Sequence, residues 1–311
     1  MSHPLPPPTT SAASDAFGSI IDIGHINLHV PSQATALAFY VDALGLTRDP
    51  DAMTGSGNTW INCGSSQFHL PCRSPTQLHR GVVGLVVGSL DALLLRLSAA
   101  RAALQGTQFD FAQADDHVQV TCPWGNRLRC HAPQPQLLGG VALGMAYVEF
   151  DVAVGTCEGI GLFYKEVIGA AAAAGDACVR VCCGAHQMLV FRECSTPLAP
   201  YDGYHVMLTL DDFPGVFSRL ADLQLITKGS VAQQECAPPH IKPMLCLHTN
   251  TCPPCTASPT LCTPSTAACC CRWSTSCAAC SIRSTRVPSL TRAQLQRTCN
   301  ASILLGHVMA G

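Results

Sequence analysis

The segment 23–32, IGHINLHVPS, alternates apolar and polar side chains with the period of a β-strand. The apolar side chains are Ile26, Leu28 and Val30. The polar side chains between them are His25, Asn27 and His29. Because successive side chains of a strand point to opposite faces, the pattern predicts a strand over 24–30 with one face on a core. Two imidazoles and an amide on the opposite face indicate a chemical role for that face.

A helix is predicted directly after this strand. Ser32 is a suitable N-cap, apolar residues follow at helical spacing, and Gly45 ends the helix. The pattern restarts further along the chain, where Ser89 caps a second helix. The other strands predicted in this half are 59–62, 66–70 and 82–87, followed by a hairpin over 117–132.

The chain contains an internal repeat at a spacing of about 120 residues. FYVDALGL at 39–46 recurs as FYKEVIGA at 163–170, and CGSSQFHLP at 63–71 recurs as CGAHQMLVF at 183–191. A repeat of this kind predicts two homologous units, each built from two βαβββ-like modules.

The repeat and the composition together predict four regions. The homologous units span 20–135 and 141–235, and the second is incomplete. A leader over 1–19 and a Cys/Ser/Thr-rich tail over 236–311 are predicted to be disordered. Eleven of the 20 cysteines lie after residue 230, where Phe and Tyr are absent. A misread gene segment and a zinc ribbon built on two Cys-x-x-Cys pairs are both interpretations of that tail.

Charge and hydropathy exclude several partners. The net charge of −2 gives no reason to expect nucleic acid. No segment approaches the ~20 uninterrupted apolar residues of a membrane-spanning helix. The first eighteen residues contain no Lys or Arg and no apolar run, so we expect neither a secretory signal nor a transit peptide, and a cytoplasmic location by default.

The chain resembles the vicinal oxygen chelate superfamily, which includes glyoxalases, fosfomycin-resistance proteins and extradiol dioxygenases. The resemblance rests on GHINLHV followed by ATALAFYVDALGL, on the hairpin CPWGNRLRCHAP, and on GYHVMLTLDDF at 203–213. It covers residues 20–230. It implies an α+β fold in which paired βαβββ modules form curved mixed sheets with helices outside, in two tandem glyoxalase-like domains.

The resemblance also implies metal-ligand positions. It places the first ligand at His25 and the second near His69, while Val82 and Arg129 occupy the third and fourth positions of the first unit. A guanidinium at a ligand position would repel a cation, so this departure argues against a standard divalent site. His117 or His131 is a candidate to complete a three-histidine site, and His205 takes a ligand position in the second unit.

In this fold the polar faces of the strands line a cleft. We therefore predict that His25, His69 and Arg129 are the catalytic residues of one shared cleft. The substrate-binding residues predicted from strand alternation are Asn27, His29, Gln67, His117, Arg127 and His131. Guanidinium groups suit an anionic substrate, although Asp115 and Asp116 are candidates to neutralise the two arginines instead.

Two functions follow as hypotheses. The first is an enzyme, a lyase, isomerase or dioxygenase that acts on a small oxygenated and anionic molecule. The metal candidates are Fe, Zn, Mn or Ni on His25, His69 and His205. Within the enzyme hypothesis, the alternative to a metal is a metal-free reaction in which a histidine acts as the general base. The second function is a non-catalytic protein of the same fold that binds a small ligand. The sequence leaves the substrate and the oligomeric state open.

Overall fold

The computed structural model of the chain describes residues 18–50, 57–133, 141, 143–223, 225, 244–248 and 304–309. The described strands are β1 (Ile20–Asn27), β2 (Thr47–Arg48), β3 (Asn58–Cys63), β4 (Ser66–Pro71), β5 (Gly81–Val86), β6 (Asp110–Gln113), β7 (His117–Thr121), β8 (Arg127–His131), β9 (Gly144–Ala153), β10 (Ala172–Gly175), β11 (Cys178–Cys183), β12 (Gln187–Cys194), β13 (His205–Leu210), β14 (Met244–His248) and β15 (Leu304–Met309). The α-helices are α1 (Gln33–Leu37), α2 (Leu90–Ala100), α3 (Cys157–Phe163) and α4 (Phe213–Asp222).

Local sequence signals determine where the helices begin and end. The Ser32 hydroxyl accepts a hydrogen bond from the Thr35 backbone N–H at the start of α1. The helices α1 and α3 each continue as a π-helical segment, at Ala38–Ala43 and Tyr164–Ile168. Both segments are followed by a glycine with positive φ, which a residue with a side chain adopts only with strain.

The strands form two mixed sheets, which confirms the predicted fold class. The seven-stranded sheet has the order β15-β14-β13-β1-β4-β3-β2, and the eight-stranded sheet has the order β10-β11-β12-β9-β5-β8-β7-β6. Strand β1 pairs in parallel with β4 and antiparallel with β13. Strand β5 pairs in parallel with β8 and antiparallel with β9.

The pairing of modules differs from the predicted one. The module β1–β4 shares its sheet with β13, and the module β5–β8 shares its sheet with the module β9–β12. Each sheet therefore takes strands from both predicted units. Strand pairing is a long-range choice that neither the repeat nor the hydrophobic pattern specifies.

One hydrophobic core joins the two sheets. It contains Ile20, Ile23 and Ile26 of β1, where two register shifts interrupt the alternation, together with residues of both sheets and of all four α-helices. The π-helical segment after α1 packs against α2, and the segment after α3 packs against α4. Because the apolar face of each sheet is used in this core, the polar side chains of each sheet line the opposite face.

The predicted tail falls mostly outside the described residues. Two of its segments are the strands β14 and β15, which extend the seven-stranded sheet beyond β13. At those two segments the backbone is extended and paired. The two Cys-x-x-Cys pairs and the predicted leader lie outside the described residues, apart from the last two residues of the leader.

Candidate functional site

Three histidines come together on the polar face of the seven-stranded sheet. Strand β1 lies between β4 and β13, and Asn27 is in register with His69 on one side and His205 on the other. The ring centroid of His25 lies 5.6 Å from that of His69 and 5.9 Å from that of His205. The structure therefore unites the three residues that the sequence proposed as metal ligands, although His205 belongs to the other predicted unit.

Burial keeps two of these imidazoles neutral. It lowers the pKa of His25 to about 4. Burial, and then the neighbouring His25, His29 and Arg73, lower the pKa of His69 to about 3. The Nε2 atom of His69 is buried and has no hydrogen-bond partner among the described residues. A neutral imidazole with an unsatisfied nitrogen has the donor atom that a transition metal or a ligand hydroxyl requires.

Sequence reasoning missed Trp60, which completes this cluster of rings. Its indole stacks on His69 with centroids 3.9 Å apart and an interplanar angle of 9°. It also meets the edge of His25 at 5.1 Å. Trp60 and His69 are paired across β3 and β4, so alternation along the predicted strand 59–62 contained the signal.

The other residues predicted for this cleft have different surroundings. Asn27 is buried on β1 beside the histidines. The Gln67 amide donates to Asp49 Oδ2 and Asn62 Oδ1, both at 2.8 Å. His29 lies beyond the end of β1, where its backbone N–H donates to the Gln77 side chain. Gln67 is thus held by hydrogen bonds to its neighbours, and His29 lies past the strand that carries His25.

The donor set on this face fits a divalent transition metal. Imidazole nitrogens suit Zn, Cu, Fe and Ni, and the unpartnered Nε2 of His69 supplies a buried donor. The donor atoms of the three histidines are not all within 4.8 Å of one another, since the part of the chain that the structure describes contains one such set, at another place. Holding one ion between these three rings therefore requires side-chain rotation.

The arginines predicted as substrate anchors lie on the eight-stranded sheet and form ion pairs. Arg129 lies 3.3 Å from Glu149 Oε2, and Arg192 lies 3.4 Å from the same oxygen. Arg127 lies 2.8 Å from Asp151 Oδ2. The side chain of Glu149 is only 6% exposed, so the central charge of this network is enclosed.

The predicted convergence of His25 and Arg129 on one cleft is wrong. The two residues lie on different sheets, because the module β1–β4 pairs with β13 rather than with the module β5–β8. The same pairing separates His117 and His131 from His25 and His69. Glu149 and Asp151 neutralise the arginines, rather than Asp115 and Asp116. The repulsion expected between the Arg129 guanidinium and a metal ion therefore does not affect the histidine cluster.

A second polar group lies on the eight-stranded sheet at the β7–β8 pair. His117 and His131 are directly opposite in register. His117 Nδ1 lies 2.6 Å from Asp116 Oδ1, and this hydrogen bond lowers the pKa of the Asp116 carboxyl. His131 Nε2 lies 3.0 Å from the Tyr147 hydroxyl, and burial lowers the pKa of His131.

No protein-family model matches the sequence, and no curated protein is significantly similar to it. Among solved structures, glyoxalase I from Zea mays is similar at 12% identity, covering 74% of this chain and 88% of that one, with a TM-score of 0.49. A proposed dioxygenase from Bacillus subtilis is similar at 13% identity, covering 62% and 83%, with a TM-score of 0.42.

A glyoxalase/bleomycin resistance protein from Albidiferax ferrireducens is also similar, at 14% identity, covering 36% of this chain and 98% of that one, with a TM-score of 0.29. The fold itself is defined by the strand order and by the βαβββ modules described above. Among the described residues, no helix combines the length and apolar character needed to cross a membrane.

Proposed function

We propose that the chain is a glyoxalase- or dioxygenase-like enzyme that acts on a small oxygenated molecule at the His25–His69–His205 cluster. The observation that carries this proposal is the gathering of three imidazoles from three adjacent strands around His25. The buried Nε2 atom of His69 has no partner among the described residues, and burying a polar atom is costly unless it gains one. A bound divalent ion or a bound ligand supplies that partner.

His25, His69 and His205 are the residues that would hold the metal. When bound, the ion supplies Lewis acidity that polarises two neighbouring oxygens of a substrate. Three neutral imidazoles leave the charge of a divalent ion uncompensated, which favours an anionic oxygen ligand. The nearby Arg73 guanidinium, which lowers the pKa of both His29 and His69, also favours an anionic ligand.

The lowered pKa values of His25 and His69 favour metal or ligand binding over a metal-free mechanism with a histidine base. A general base works best with a pKa near the working pH, whereas the pKa of His25 is about 4 and that of His69 about 3. Arg129 is on the other sheet and does not stabilise an oxyanion at these rings. His25 and His69 are therefore better suited to hold a metal or to accept a hydrogen bond than to abstract a proton.

A second function, binding without turnover, is favoured by one observation. The Trp60 indole and the His69 imidazole form a stacked pair beside His25. Such a pair offers a flat aromatic surface to a planar ligand. In that case the cleft would bind a small aromatic or anionic compound without converting it.

Metal binding by the full chain tests the proposed function. Protein purified without chelators is titrated with Co²⁺, and the visible absorption of bound cobalt is measured for the wild type, His25→Ala, His205→Ala and His186→Ala. We expect His25→Ala and His205→Ala each to lose one equivalent. His186, which is exposed in the turn between β11 and β12 of the other sheet, is the matched control, and its variant should bind as the wild type does. Cobalt bound to thiolates of the tail cysteines gives a separate near-ultraviolet band, which is quantified separately.

Ligand specificity and turnover separate the two functions. We expect α-keto acids, catechols or hydroxamates to raise the Tm of the metal-loaded wild type more than that of His25→Ala. Conversion of any of these compounds by the wild type and not by His25→Ala supports the enzyme. Binding without conversion supports the second function. Retention of the full metal content in both His25→Ala and His205→Ala would contradict a metal site at the cluster.

A further inference from the structure

The paired strands β7 and β8 place two imidazoles side by side on the polar face of the eight-stranded sheet. His117 and His131 are directly opposite each other in the antiparallel ladder. Directly opposed residues have a separation that the backbone determines, with Cβ atoms about 5 Å apart. The ring centroids lie 5.4 Å apart. The pair is therefore held in place by the sheet rather than by flexible loops.

Asp116 adds a carboxylate to this pair. It directly precedes β7, and its Oδ1 atom lies 2.6 Å from His117 Nδ1. One donor atom from each of Asp116, His117 and His131 lies within 4.8 Å of the other two, and no other set of three in the described part of the chain meets this condition. Donor atoms on one ion are at most about 4 Å apart, given metal–ligand distances of about 2 Å. Small rotations of the side chains would bring the three donor atoms within that distance.

Tyr147 holds one nitrogen of His131. The Tyr147 hydroxyl lies 3.0 Å from His131 Nε2 and is hydrogen-bonded to the Arg129 side chain. An ion bound at His131 Nδ1 would leave the proton on His131 Nε2, which would then donate to the Tyr147 oxygen. Metal-binding histidines are commonly oriented by such a hydrogen bond on the other ring nitrogen. Gly84 allows the tyrosine to lie there, since a Cβ at position 84 would lie 2.1 Å from the Tyr147 ring.

Exposure increases steadily across the three residues. His131 is 8% exposed, the His117 side chain 19% and the Asp116 side chain 67%. An ion can thus enter from solvent at Asp116 and reach an imidazole that the protein has already desolvated. This arrangement provides the entry path and the buried donor that a metal site needs.

We propose that Asp116, His117 and His131 form a second binding site for a divalent transition-metal ion, and that Tyr147 positions His131. Two imidazoles and one carboxylate suit Zn²⁺, Ni²⁺, Co²⁺ or Cu²⁺ rather than Mg²⁺ or Ca²⁺. The site is separate from the histidine cluster, which lies on the other sheet. It is also separate from the ion pairs of Glu149, although Arg129 takes part in both hydrogen-bond networks. The proposal does not depend on the proposed function.

Titration of the full chain with Zn²⁺ by calorimetry and with Co²⁺ by visible absorption tests this site. The variants are Asp116→Asn, His117→Gln and Tyr147→Phe. The first two change residues that are exposed or near the surface, and the third retains the ring over Gly84. Asp115→Asn is the matched control, because it removes the neighbouring exposed carboxylate and changes the net charge equally.

We expect His117→Gln to lose one equivalent of metal relative to the wild type, and Asp116→Asn to bind that equivalent at least tenfold more weakly. Tyr147→Phe should weaken it about 10- to 100-fold, as loss of an orienting hydrogen bond does. Asp115→Asn should bind as the wild type does. The equivalent of metal that is lost in His25→Ala should still bind to His117→Gln. The experiment therefore distinguishes the absence of a metal site on one sheet from its absence on the other.

Two results would overturn the proposal. One is a metal content and affinity of His117→Gln equal to those of the wild type. The other is an Asp115→Asn variant that loses as much affinity as Asp116→Asn, because the effect would then be one of general charge. Far-ultraviolet circular dichroism of each variant, compared with that of the wild type, establishes that a loss of metal is not a loss of fold.

Discussion

Three histidines whose pKa is lowered by burial lie in two different surroundings. Burial lowers the pKa of His25, His69 and His79 to about 4, 3 and 4, respectively. His25 and His69 belong to the ring cluster on the seven-stranded sheet. His79 lies apart from both proposed metal sites, between the rings of Phe150 and Tyr204. Its neutral form is part of the packing.

Replacing His79 should reduce the loss of stability in acid. The pKa of His79 is about 4 in the folded chain and 6.5 in the unfolded chain, so its stabilising effect is complete above pH 6.5 and is lost as the pH falls towards 4. The corresponding slope is up to about 1.4 kcal/mol per pH unit. His79→Phe should lower the free energy of unfolding at neutral pH, because the contact of Nε2 with the Glu149 carbonyl oxygen at 2.7 Å is lost. The same variant should flatten the pH dependence.

Urea unfolding of His79→Phe and of the wild type between pH 7 and about pH 4.5 measures this slope. His186→Gln, at an exposed position, is the control and should retain the wild-type slope. Equal slopes for His79→Phe and the wild type would contradict the prediction.

Alternation along single strands was enough to predict which residues share a face. It placed His25 and Asn27 on the face opposite Ile26, and Gln67 with His69. It did not predict that Arg129 would be paired with Glu149, because that contact joins β8 to β9 through a strand order that alternation does not contain.

At the scale of single elements, the predicted caps are confirmed because they depend on neighbouring residues only. The Ser89 hydroxyl accepts from the Ala92 backbone N–H at 3.2 Å at the start of α2. Gly45 has a φ of 76°, as a helix-ending glycine requires. The predicted strand 59–62 is one residue shorter than β3 at each end, and the predicted strand 66–70 is one residue shorter than β4 at its end.

Removal of the α2 cap should destabilise the protein by about 1 kcal/mol. Ser89→Ala leaves the Ala92 N–H without its side-chain acceptor. Ser98→Ala, within the same helix, is the matched control, because Ser98 Oγ donates to the Leu94 carbonyl oxygen and an exposed alanine favours the helix. Urea unfolding should show Ser98→Ala equal to or more stable than the wild type. A loss in Ser98→Ala as large as that in Ser89→Ala would contradict a specific cap.

At the scale of the whole molecule, the two sheets meet through glycine turns. A Cβ on Gly64 would lie 2.6 Å from the Leu143 carbonyl oxygen, next to the start of β9. A Cβ on Gly184 would lie 2.1 Å from the Ile21 carbonyl oxygen of β1, and the Gly184 N–H donates to Ile20 O at 2.8 Å. The repeated Cys-Gly turns, Cys63-Gly64 and Cys183-Gly184, thus each pack against a strand of the other sheet.

Gly184→Ala should be more destabilising than an alanine at a glycine with similar backbone strain. Gly184 and Gly106 have φ values of 63° and 79°, but a Cβ on Gly106 would meet nothing within 4 Å. Gly106→Ala should therefore cost about 1 kcal/mol from the backbone alone, and Gly184→Ala a further 1–3 kcal/mol or so from the clash with Ile21. Urea unfolding of both variants gives the difference. Equal losses would indicate that the sheets do not depend on this close approach.

By itself the sequence determined the α+β class, the helix caps and the polar face of each strand, because these depend on neighbours along the chain and on a period of two or 3.6 residues. Only the tertiary structure decided which module pairs with which. That choice brings His205 to His25, moves Arg129 to another sheet and pairs it with Glu149. Hydrogen bonding between strand edges is satisfied equally well by several partners, so packing across the whole core selects among them.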